Sequence, residues 1–334
     1  MAVLGGMSGT GKTQLALLYA KALGLEKDVN LLIVPISPSY TEPSDILGYL
    51  NHQMGLYMES ETGLVSFLER ASQYKDELHM VLFDEMNLGQ VEHYFSPFIS
   101  LLELPKDQRK LRLFSKESIC HNRKLTDGIM INDNVLFVGT ANFDETTKDF
   151  SNRMLDRMNV IFLEKLGFGA EVEKEINNSF DKETTVSRNI YRTDWVAKES
   201  HLEESEISLL DRLHELMREY DSQTGISYRI AKAIGLYLSN IPEVSEGNPF
   251  VTRKTAFDYQ IKQRILTKIR GHREQIQELV GSYEFGSNKA YQLGSIARLL
   301  LEEQTVSNGE DDFKTSLGFL EQKAKELTRN GYAL

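Results

Sequence analysis

The chain has 334 residues, a formal net charge of -11, 41% hydrophobic residues and one cysteine, Cys120. This length allows two or three domains with apolar cores, and a single cysteine excludes internal disulfides and suits a reducing compartment. The negative charge argues against a surface that binds nucleic acid everywhere, and the sequence has neither a run of membrane-spanning length nor a secretion signal. We therefore expect a cytoplasmic protein with no membrane partner.

A phosphate-binding loop is predicted near the start of the chain. The residues from Gly6 to Thr13 fit the pattern G-x-x-x-x-G-K-[ST], between an apolar run and a helical pattern that ends at Gly24. Glycines let backbone N–H groups turn toward phosphate oxygens, and the following helix directs its positive end at them. We expect Lys12 to reach the β- and γ-phosphates and Thr13 to bind Mg²⁺, the alternative being a glycine-rich turn that matches by chance. The predicted nucleotide-binding residues of this loop are Gly6, Gly9, Thr10, Gly11, Lys12 and Thr13.

Two apolar strands and a carboxylate pair follow. Leu31–Ile36 predicts a buried strand, and Ser39–Tyr49 predicts a loop that leads into a short helix. His79–Phe83 predicts the next strand, which runs into Asp84 and Glu85. Behind a phosphate-binding loop, Asp84 is expected to hold Mg²⁺ through water and Glu85 to polarise the attacking water. The alternative is that these acidic residues only end the strand.

A basic insert is predicted before the next core strand. Phe95–Leu104 has the pattern of an amphipathic helix, and Leu111–Ile131 that of a β-hairpin with a turn at Asp127-Gly128. Residues 106–124, here called the basic insert, hold seven Lys or Arg and two Asp or Glu. Either this segment is a solvated hairpin, or copies of it together present a positive face to nucleic acid or to an acidic partner.

The next strand is predicted at Val135–Val138, and it leads into Gly139–Asn142. A carboxamide at the end of the strand beside Asp84 can hydrogen-bond both the γ-phosphate and the attacking water. Asn142 is therefore a candidate catalytic residue. The alternative is that Asn142 only caps its strand.

The fifth strand is predicted at Val160–Leu163, directly after a helix that ends near Arg157. An arginine in this place could reach the γ-phosphate of a neighbouring subunit as an arginine finger. The alternative is a surface salt bridge with Asp156 or Glu164, which would contribute little to stability.

The second half of the chain is predicted to be helical. The polar stretch from Glu164 to about Ser200 contains a predicted linker at Asn177–Asn189, after which helical spacing of apolar residues resumes. Ser227–Asn240 predicts a helix with Arg229 in its first turn, where the helix dipole disfavours a cation. We therefore expect Arg229 to have a partner elsewhere, such as a phosphate.

These motifs together resemble those of the AAA+ superfamily, and the insert before the Asn142 strand resembles its MoxR, dynein and McrB branch. Asp84-Glu85-Met86-Asn87 is similar to the Asp-Glu-x-Asn of McrB-like restriction subunits. Residues 139–147, with Leu155-Asp156-Arg157, are similar to their G-T-x-N-x-D-E-T-T and L-D-R stretches. By this resemblance Asn142 is sensor 1, Arg157 the trans-acting finger and Arg229 sensor 2.

The expected fold is α/β, with an AAA+ P-loop core at residues 1–165 that contains a parallel five-stranded sheet and a pre-sensor β-hairpin insert. A helical lid is expected at 166–245 and a helical C-terminal extension at 246–334. The resemblance implies a ring-forming, Mg²⁺-dependent NTPase. McrB itself carries a different signature around the sensor asparagine and uses GTP, so its preference for GTP does not transfer, and we expect ATP, with GTP possible. Such a protein would be the motor of a McrBC-like restriction and anti-phage system, driving translocation or activating a nuclease.

The partners implied are further copies of the chain, in a hexamer, a McrC-like nuclease, and DNA bound through an upstream domain or a partner. Two other functions fit the motifs as well. One is a MoxR-like chaperone that remodels proteins, and the other is a nucleotide-gated scaffold with little turnover.

Overall fold

The computed structural model describes residues 1–143, 148, 150–163, 185–196, 199–221, 224–245, 248–285, 290–307 and 312–333. These residues form two compact units, Met1–Asp194 and Trp195–Leu334. Within the described ranges, no helix combines the length and the apolar character that a bilayer crossing requires.

The elements of the first unit alternate between strands and helices. Its strands are β1 (Ala2–Gly6), β2 (Leu31–Pro35), β3 (Gly48–Asn51), β4 (Leu56–Glu59), β5 (His79–Asp84), β6 (Lys110–Leu111), β7 (Ile129–Met130), β8 (Val135–Asn142) and β9 (Asn159–Phe162). Its helices are α1 (Lys12–Ala22), α2 (Pro43–Leu47), α3 (Leu64–Gln73), α4 (Val91–Tyr94), α5 (Ser96–Leu101), α6 (Arg123–Thr126), α7 (Asn152–Leu155) and α8 (Arg188–Thr193). Two short 3-10 helices lie at Met86–Leu88 and Lys106–Gln108.

A five-stranded parallel sheet in the order β2-β5-β8-β1-β9 is the centre of this unit. Its strands are continuous apolar runs because both faces of the sheet are covered. Val81 and Phe83 pack into the larger core cluster, whereas Met80 and Leu82 pack on the other face with residues of α1. The α/β prediction and its five strands are confirmed. The parallel arrangement brings the carboxyl ends of β1, β5 and β8 to one edge.

Strand β8 is longer than the sequence predicts. Its pairing with β5 ends at Gly139, but its pairing with β1 continues to Asn142 opposite Gly6.

The helix predicted at Phe95–Leu104 is shorter in the structure, since α5 spans Ser96–Leu101 and follows the separate helix α4. Pro97 lies in the first turn of α5 and separates it from α4, because proline lacks the N–H needed to continue a preceding helix.

The pre-sensor insert contains an antiparallel pair, but its strands β6 and β7 are only two residues long. The predicted turn at Asp127-Gly128 does not join the two strands directly. It comes after α6 and leads into β7. Gly128 has φ +73°, and a Cβ there would lie 2.6 Å from the carbonyl oxygen of Leu111. The predicted hairpin is therefore corrected to a short strand pair closed by a long, partly helical connection.

A hairpin of β3 and β4 follows α2 and was not predicted from the sequence. The short helix expected in that region is present as α2. The predicted linker at Asn177–Asn189 lies largely outside the described residues. Its described end, from residue 185, is not a free linker, because the N–H groups of Val186 and Arg188 bond the carbonyl oxygens of Leu23 and Asp76.

The second unit is mainly helical, as expected. Its helices are α9 (Glu204–Tyr220), α10 (Tyr228–Leu238), α11 (Arg253–Arg264), α12 (Arg273–Val280), α13 (Ser295–Ser307) and α14 (Lys314–Asn330), with a 3-10 helix at Leu266–Lys268. Its short strands are β10 (Glu243–Ser245), β11 (Asn248–Pro249), β12 (Gly271–His272), β13 (Gly281–Glu284), β14 (Ala290–Leu293) and β15 (Tyr332–Ala333). One apolar core contains residues from α9 to β15, on both sides of the predicted boundary at residue 245. The division into a lid and an extension remains a prediction.

Candidate nucleotide-binding site

The loop between β1 and α1 has the backbone conformation that a phosphate cradle requires. Gly6, Gly9 and Gly11 have φ values of 146°, 78° and 83°, which side chains disfavour. At Gly6 a Cβ would also lie 2.6 Å from the carbonyl oxygen of Leu163, whereas at Gly9 and Gly11 a Cβ would meet nothing within 4 Å. The last two glycines are thus needed for conformation, and the space beside them is open for a ligand.

Lys12, the first residue of α1, is buried with only 7% of its surface exposed. Its Nζ donates to the carbonyl oxygens of Gly6 at 3.2 Å and Met7 at 2.6 Å. The hydroxyl of Thr10 donates to the same Met7 oxygen at 2.9 Å. The ammonium group therefore lies within the loop, where its charge complements that of a phosphate.

Asp84, at the end of β5, links the loop to the sheet. Its Oδ1 accepts hydrogen bonds from the hydroxyls of Thr13 at 2.8 Å and Thr140 at 2.7 Å. A carboxylate and a hydroxyl are the hard oxygen ligands that Mg²⁺ prefers, so this pair fits the predicted metal-binding role of Thr13 and Asp84. Thr140 is not predicted from the sequence, because its role depends on the adjacency of β5 and β8.

Glu85 directly follows β5 and has φ 53° and ψ 48°, the left-handed region that non-glycine residues rarely occupy. Its N–H donates to the Thr140 hydroxyl at 2.9 Å, and its Oε1 accepts from Asn142 Nδ2 at 3.4 Å. Unusual backbone conformations of this kind occur often at functional sites. Here the turn brings the predicted base beside the predicted sensor.

Asn142 ends β8 and is 9% exposed. Its backbone N–H donates to Asn87 Oδ1 at 3.1 Å, and its carbonyl oxygen accepts from Asn87 Nδ2 at 2.6 Å. In the sequence Asn87 is part of the Asp84–Asn87 motif, and no role is predicted for it. No signal in the sequence indicates that role, because the burial of Asn87 and its bonds to Asn142 are visible only in the fold.

Arg157 lies between α7 and β9, as predicted, and its side chain is 19% exposed. The guanidinium forms an ion pair with Glu103 and donates from Nη1 to the Arg153 carbonyl oxygen at 2.5 Å. The salt-bridge partners predicted from the sequence are Asp156 or Glu164, and Glu103 is not among them. Glu164 lies outside the described residues. A role of Arg157 in a neighbouring subunit stays a prediction.

Arg229 lies in the second unit, in the first turn of α10, as the sequence predicted. Its side chain is exposed. The geometry of the first unit does not test its assignment as sensor 2, so that role stays a prediction.

The basic insert contains both bonded and exposed cations. Lys106 pairs with Asp133 at 2.8 Å, and Arg109 Nε donates to the carbonyl oxygen of Leu104 at 2.8 Å. Other cations of the insert have exposed side chains, namely Lys110, Arg112, Lys116, Arg123 and Lys124.

The segment after β6 packs against the hairpin of β3 and β4. The N–H of His121 donates to the Gly55 carbonyl oxygen at 2.7 Å, and that of Tyr57 donates to Asn122 Oδ1 at 3.1 Å. The rings of Tyr57 and Phe114 lie 5.9 Å apart. These contacts join the basic insert to the hairpin within the first unit.

Comparison with known families agrees with this geometry. Residues 2–158 match the family model of the AAA domain (dynein-related subfamily), and residues 176–332 match a domain of unknown function (DUF8727). The first match includes the phosphate-binding loop, Asp84, Glu85, Asn142 and Arg157, and the second includes Arg229. A search of curated proteins finds no match. Residues 2–158 are therefore an AAA domain, while the narrower likeness to McrB-like subunits stays a prediction.

Proposed function

From the AAA domain of the dynein-related subfamily at residues 2–158, we propose that this protein is a ring-forming, Mg²⁺-dependent nucleoside triphosphatase. The observation that carries the proposal is the shared hydrogen bonding of Asp84. Its Oδ1 accepts from Thr13 at the start of α1 and from Thr140 near the end of β8. A binding loop, a metal-binding pair and a water-activating carboxylate thus meet at one edge of the sheet.

Binding begins at the loop. Lys12 exchanges its bonds to the carbonyl oxygens of Gly6 and Met7 for bonds to the β- and γ-phosphates. The N–H groups of the loop and the positive end of α1 bind the remaining phosphate oxygens. Thr13 and Asp84 would hold Mg²⁺, which when bound neutralises charge on the β- and γ-phosphate oxygens.

Hydrolysis depends on Glu85 and Asn142. Glu85 accepts a proton from the attacking water, and Asn142 orients that water and the γ-phosphate. Their contact at 3.4 Å supports this division of roles. Most of the rate enhancement would come from fixed charges and dipoles, since phosphoryl transfer requires positioning more than covalent chemistry.

Arg157 of a neighbouring subunit would supply a further positive charge at the γ-phosphate, so that the active ring hydrolyses nucleotide at its interfaces. In its own chain the guanidinium pairs with Glu103 near the end of α5. The proposed role requires that the guanidinium exchange this ion pair for a bond to the γ-phosphate bound by the neighbouring subunit.

The finer proposal is that the ring is a hexameric motor of a McrBC-like restriction system, with ATP preferred over GTP. The Asp84–Asn87 motif and residues 139–147 support it by their resemblance to McrB-like subunits. The exposed cations of the basic insert support it as well, because an acidic chain needs a local positive surface to contact DNA. A McrC-like nuclease would be the partner that such a motor activates.

The test is phosphate release by the purified chain with ATP or GTP, with and without DNA and a candidate nuclease subunit. Turnover that rises with DNA or the nuclease supports the restriction motor. Turnover that rises only with a protein client supports the MoxR-like chaperone. Nucleotide binding without turnover in every condition supports the scaffold and contradicts the proposed enzyme.

A further inference from the structure

The end of β8 extends beyond its neighbour on one side. Pairing with β5 stops at Phe83 opposite Gly139, whereas β8 continues to Asn142 along β1. In a sheet, a strand end without a neighbour leaves its peptide groups unpaired, and buried peptide groups need partners. The N–H of Phe143 bonds Gly6 on the β1 side at 3.4 Å. The peptide groups of Asn142 face the other side.

The side chain of Asn87 occupies the place of the missing strand. Its carboxamide accepts from the N–H of Asn142 at 3.1 Å and donates to the carbonyl oxygen of Asn142 at 2.6 Å. A carboxamide carries the same donor and acceptor as a peptide group, so one asparagine can replace one residue of a strand. Asn87 is 1% exposed, and water therefore cannot easily replace these bonds.

Asn87 also holds the chain where it returns after the sensor strand. Its Nδ2 donates to the Lys148 carbonyl oxygen at 3.1 Å, and its backbone oxygen accepts from the Lys148 N–H at 2.9 Å. The backbone of Asn142 and that of Lys148 are thus tied to a single residue. That residue belongs to the 3-10 helix directly after Glu85.

We propose that Asn87 is a positioning residue for hydrolysis, which fixes the backbone of Asn142 so that its carboxamide lies beside Glu85. The inference rests on the proposed nucleoside triphosphatase and names a further residue of that site. The contact from Asn142 Nδ2 to Glu85 Oε1 is already long, at 3.4 Å, so a small backbone shift removes it. Nζ of Lys12 donates to Gly6 and Met7 within the loop, so we do not expect binding of nucleotide to depend directly on Asn87.

A second buried asparagine provides a matched control. Asn134 is 0% exposed and directly precedes β8, at the end of the strand opposite Asn142. Its Nδ2 lies within 3.1 Å of the carbonyl oxygens of Ala71, Tyr74 and Glu77. Its loss removes buried bonds to the backbone, as the loss of Asn87 does, but at a distance from the catalytic residues.

The experiment compares Asn87→Ser and Asn87→Asp with Asn134→Ser in the full chain. For each protein, kcat is measured by phosphate release at saturating ATP and Mg²⁺, Kd with a fluorescent ATP analogue, and Tm by thermal unfolding. Both Asn87 variants should lose about 10- to 100-fold in kcat, while Kd changes less than about twofold. Asn87→Asp keeps the acceptor for Asn142 but loses both donors, and its carboxylate would repel two carbonyl oxygens. Asn134→Ser should lower Tm and leave kcat within about twofold of the unsubstituted chain.

The outcomes separate the inference from the function on which it rests. An unsubstituted chain that binds ATP but never hydrolyses it contradicts the proposed enzyme itself. If that chain is active, an unchanged kcat in the Asn87 variants overturns the positioning role. Parallel losses of kcat and binding, a loss of kcat in Asn134→Ser as large as in Asn87→Ser, or unfolding of both Asn87 variants would also overturn it.

Discussion

The hydroxyl of Thr13 donates a hydrogen bond to Oδ1 of Asp84 at 2.8 Å, although 71 positions separate the two residues in the chain. This bond joins the first turn of α1 to the end of β5. It brings together the two side chains expected to hold Mg²⁺. The same oxygen accepts from Thr140, which makes Asp84 the point where the loop, β5 and β8 meet.

Thr140→Val is expected to slow hydrolysis about tenfold or more, with a smaller effect on nucleotide binding. Valine has a similar shape but can neither donate a hydrogen bond to Asp84 nor accept one from the N–H of Glu85. The N–H of Glu85 then loses this hydrogen bond beside a buried strand end. An unpaired buried group costs about 1–3 kcal/mol, so we also expect a lower free energy of unfolding. Phosphate release and urea unfolding check both effects. Thr62→Val, which removes a bond to Ile46 away from the site, is the matched control and should keep full turnover.

Arg157 is expected to act across a subunit interface. Arg157→Ala and Lys12→Ala chains should each be nearly inactive alone, because one lacks the finger and the other lacks the pocket. Mixing them should restore part of the turnover, since some interfaces then pair an intact pocket with an intact finger. Phosphate release is measured over a range of mixing ratios, with assembly followed by light scattering. Absence of any rescue in intact rings would count against the trans role.

The exposed part of the basic insert is expected to contact a polyanion. The double variant Arg112→Ser/Lys116→Ser should weaken stimulation of turnover by DNA and reduce the dependence of that stimulation on salt, because fewer counterions are released. Basal turnover should survive, since neither residue lies in the phosphate motifs. The control Lys27→Ser/Lys75→Ser removes the same charge from other exposed positions and should leave stimulation intact. If the stimulation of turnover by DNA depends on salt concentration equally in both double variants, the basic insert is ordinary surface.

Asp133 is expected to make the first unit sensitive to acid. Burial raises the pKa of Asp133, but hydrogen bonds and charge from Arg188 and Lys106 outweigh that effect and lower it from 3.8 to about 2. A carboxyl group with a depressed folded-state pKa stabilises the fold above its unfolded pKa and loses that contribution as the pH falls through the folded value.

The contribution of Asp133 should therefore be complete above about pH 4 and disappear toward pH 2. Urea unfolding of the unsubstituted chain and of Asp133→Asn, compared from pH 7 to pH 2, isolates it from the other carboxylates. The difference in unfolding free energy should be constant near neutral pH and shrink below pH 4. A difference that is the same at every pH would show that the lost bonds, and not the charge, matter.

The parts of the site that the sequence predicts are those whose chemistry lies in short continuous segments. The loop from Gly6 to Thr13 has a fixed spacing, and Asp84 and Glu85 follow an apolar run that can only be a buried strand in this context. The sequence does not predict the roles of Thr140 and Asn87, because these roles appear only when β5 and β8 lie side by side. The pairing of Arg157 with Glu103 likewise needs the fold, since nothing near either residue in the chain indicates it.

Among the elements, long apolar runs were easier to predict than short polar ones. β5 and β9 were recognised because their residues are nearly all apolar, whereas β3 and β4 have four residues each and mix apolar with polar side chains. The need for glycine at position 48 of this hairpin is visible only in the fold, where a Cβ on Gly48 would lie 2.1 Å from the carbonyl oxygen of Met58.

The central claim is that this chain hydrolyses a nucleoside triphosphate with Glu85 as the base, and Glu85→Gln tests it most directly. Glutamine keeps the size of the side chain and a bond to Asn142 but cannot accept the proton of the attacking water. We expect ATP binding within about twofold of the unsubstituted chain and at least about a 100-fold loss of turnover, whereas the control Lys12→Ala loses binding itself. Hydrolysis by Glu85→Gln at the rate of the unsubstituted chain would contradict the account.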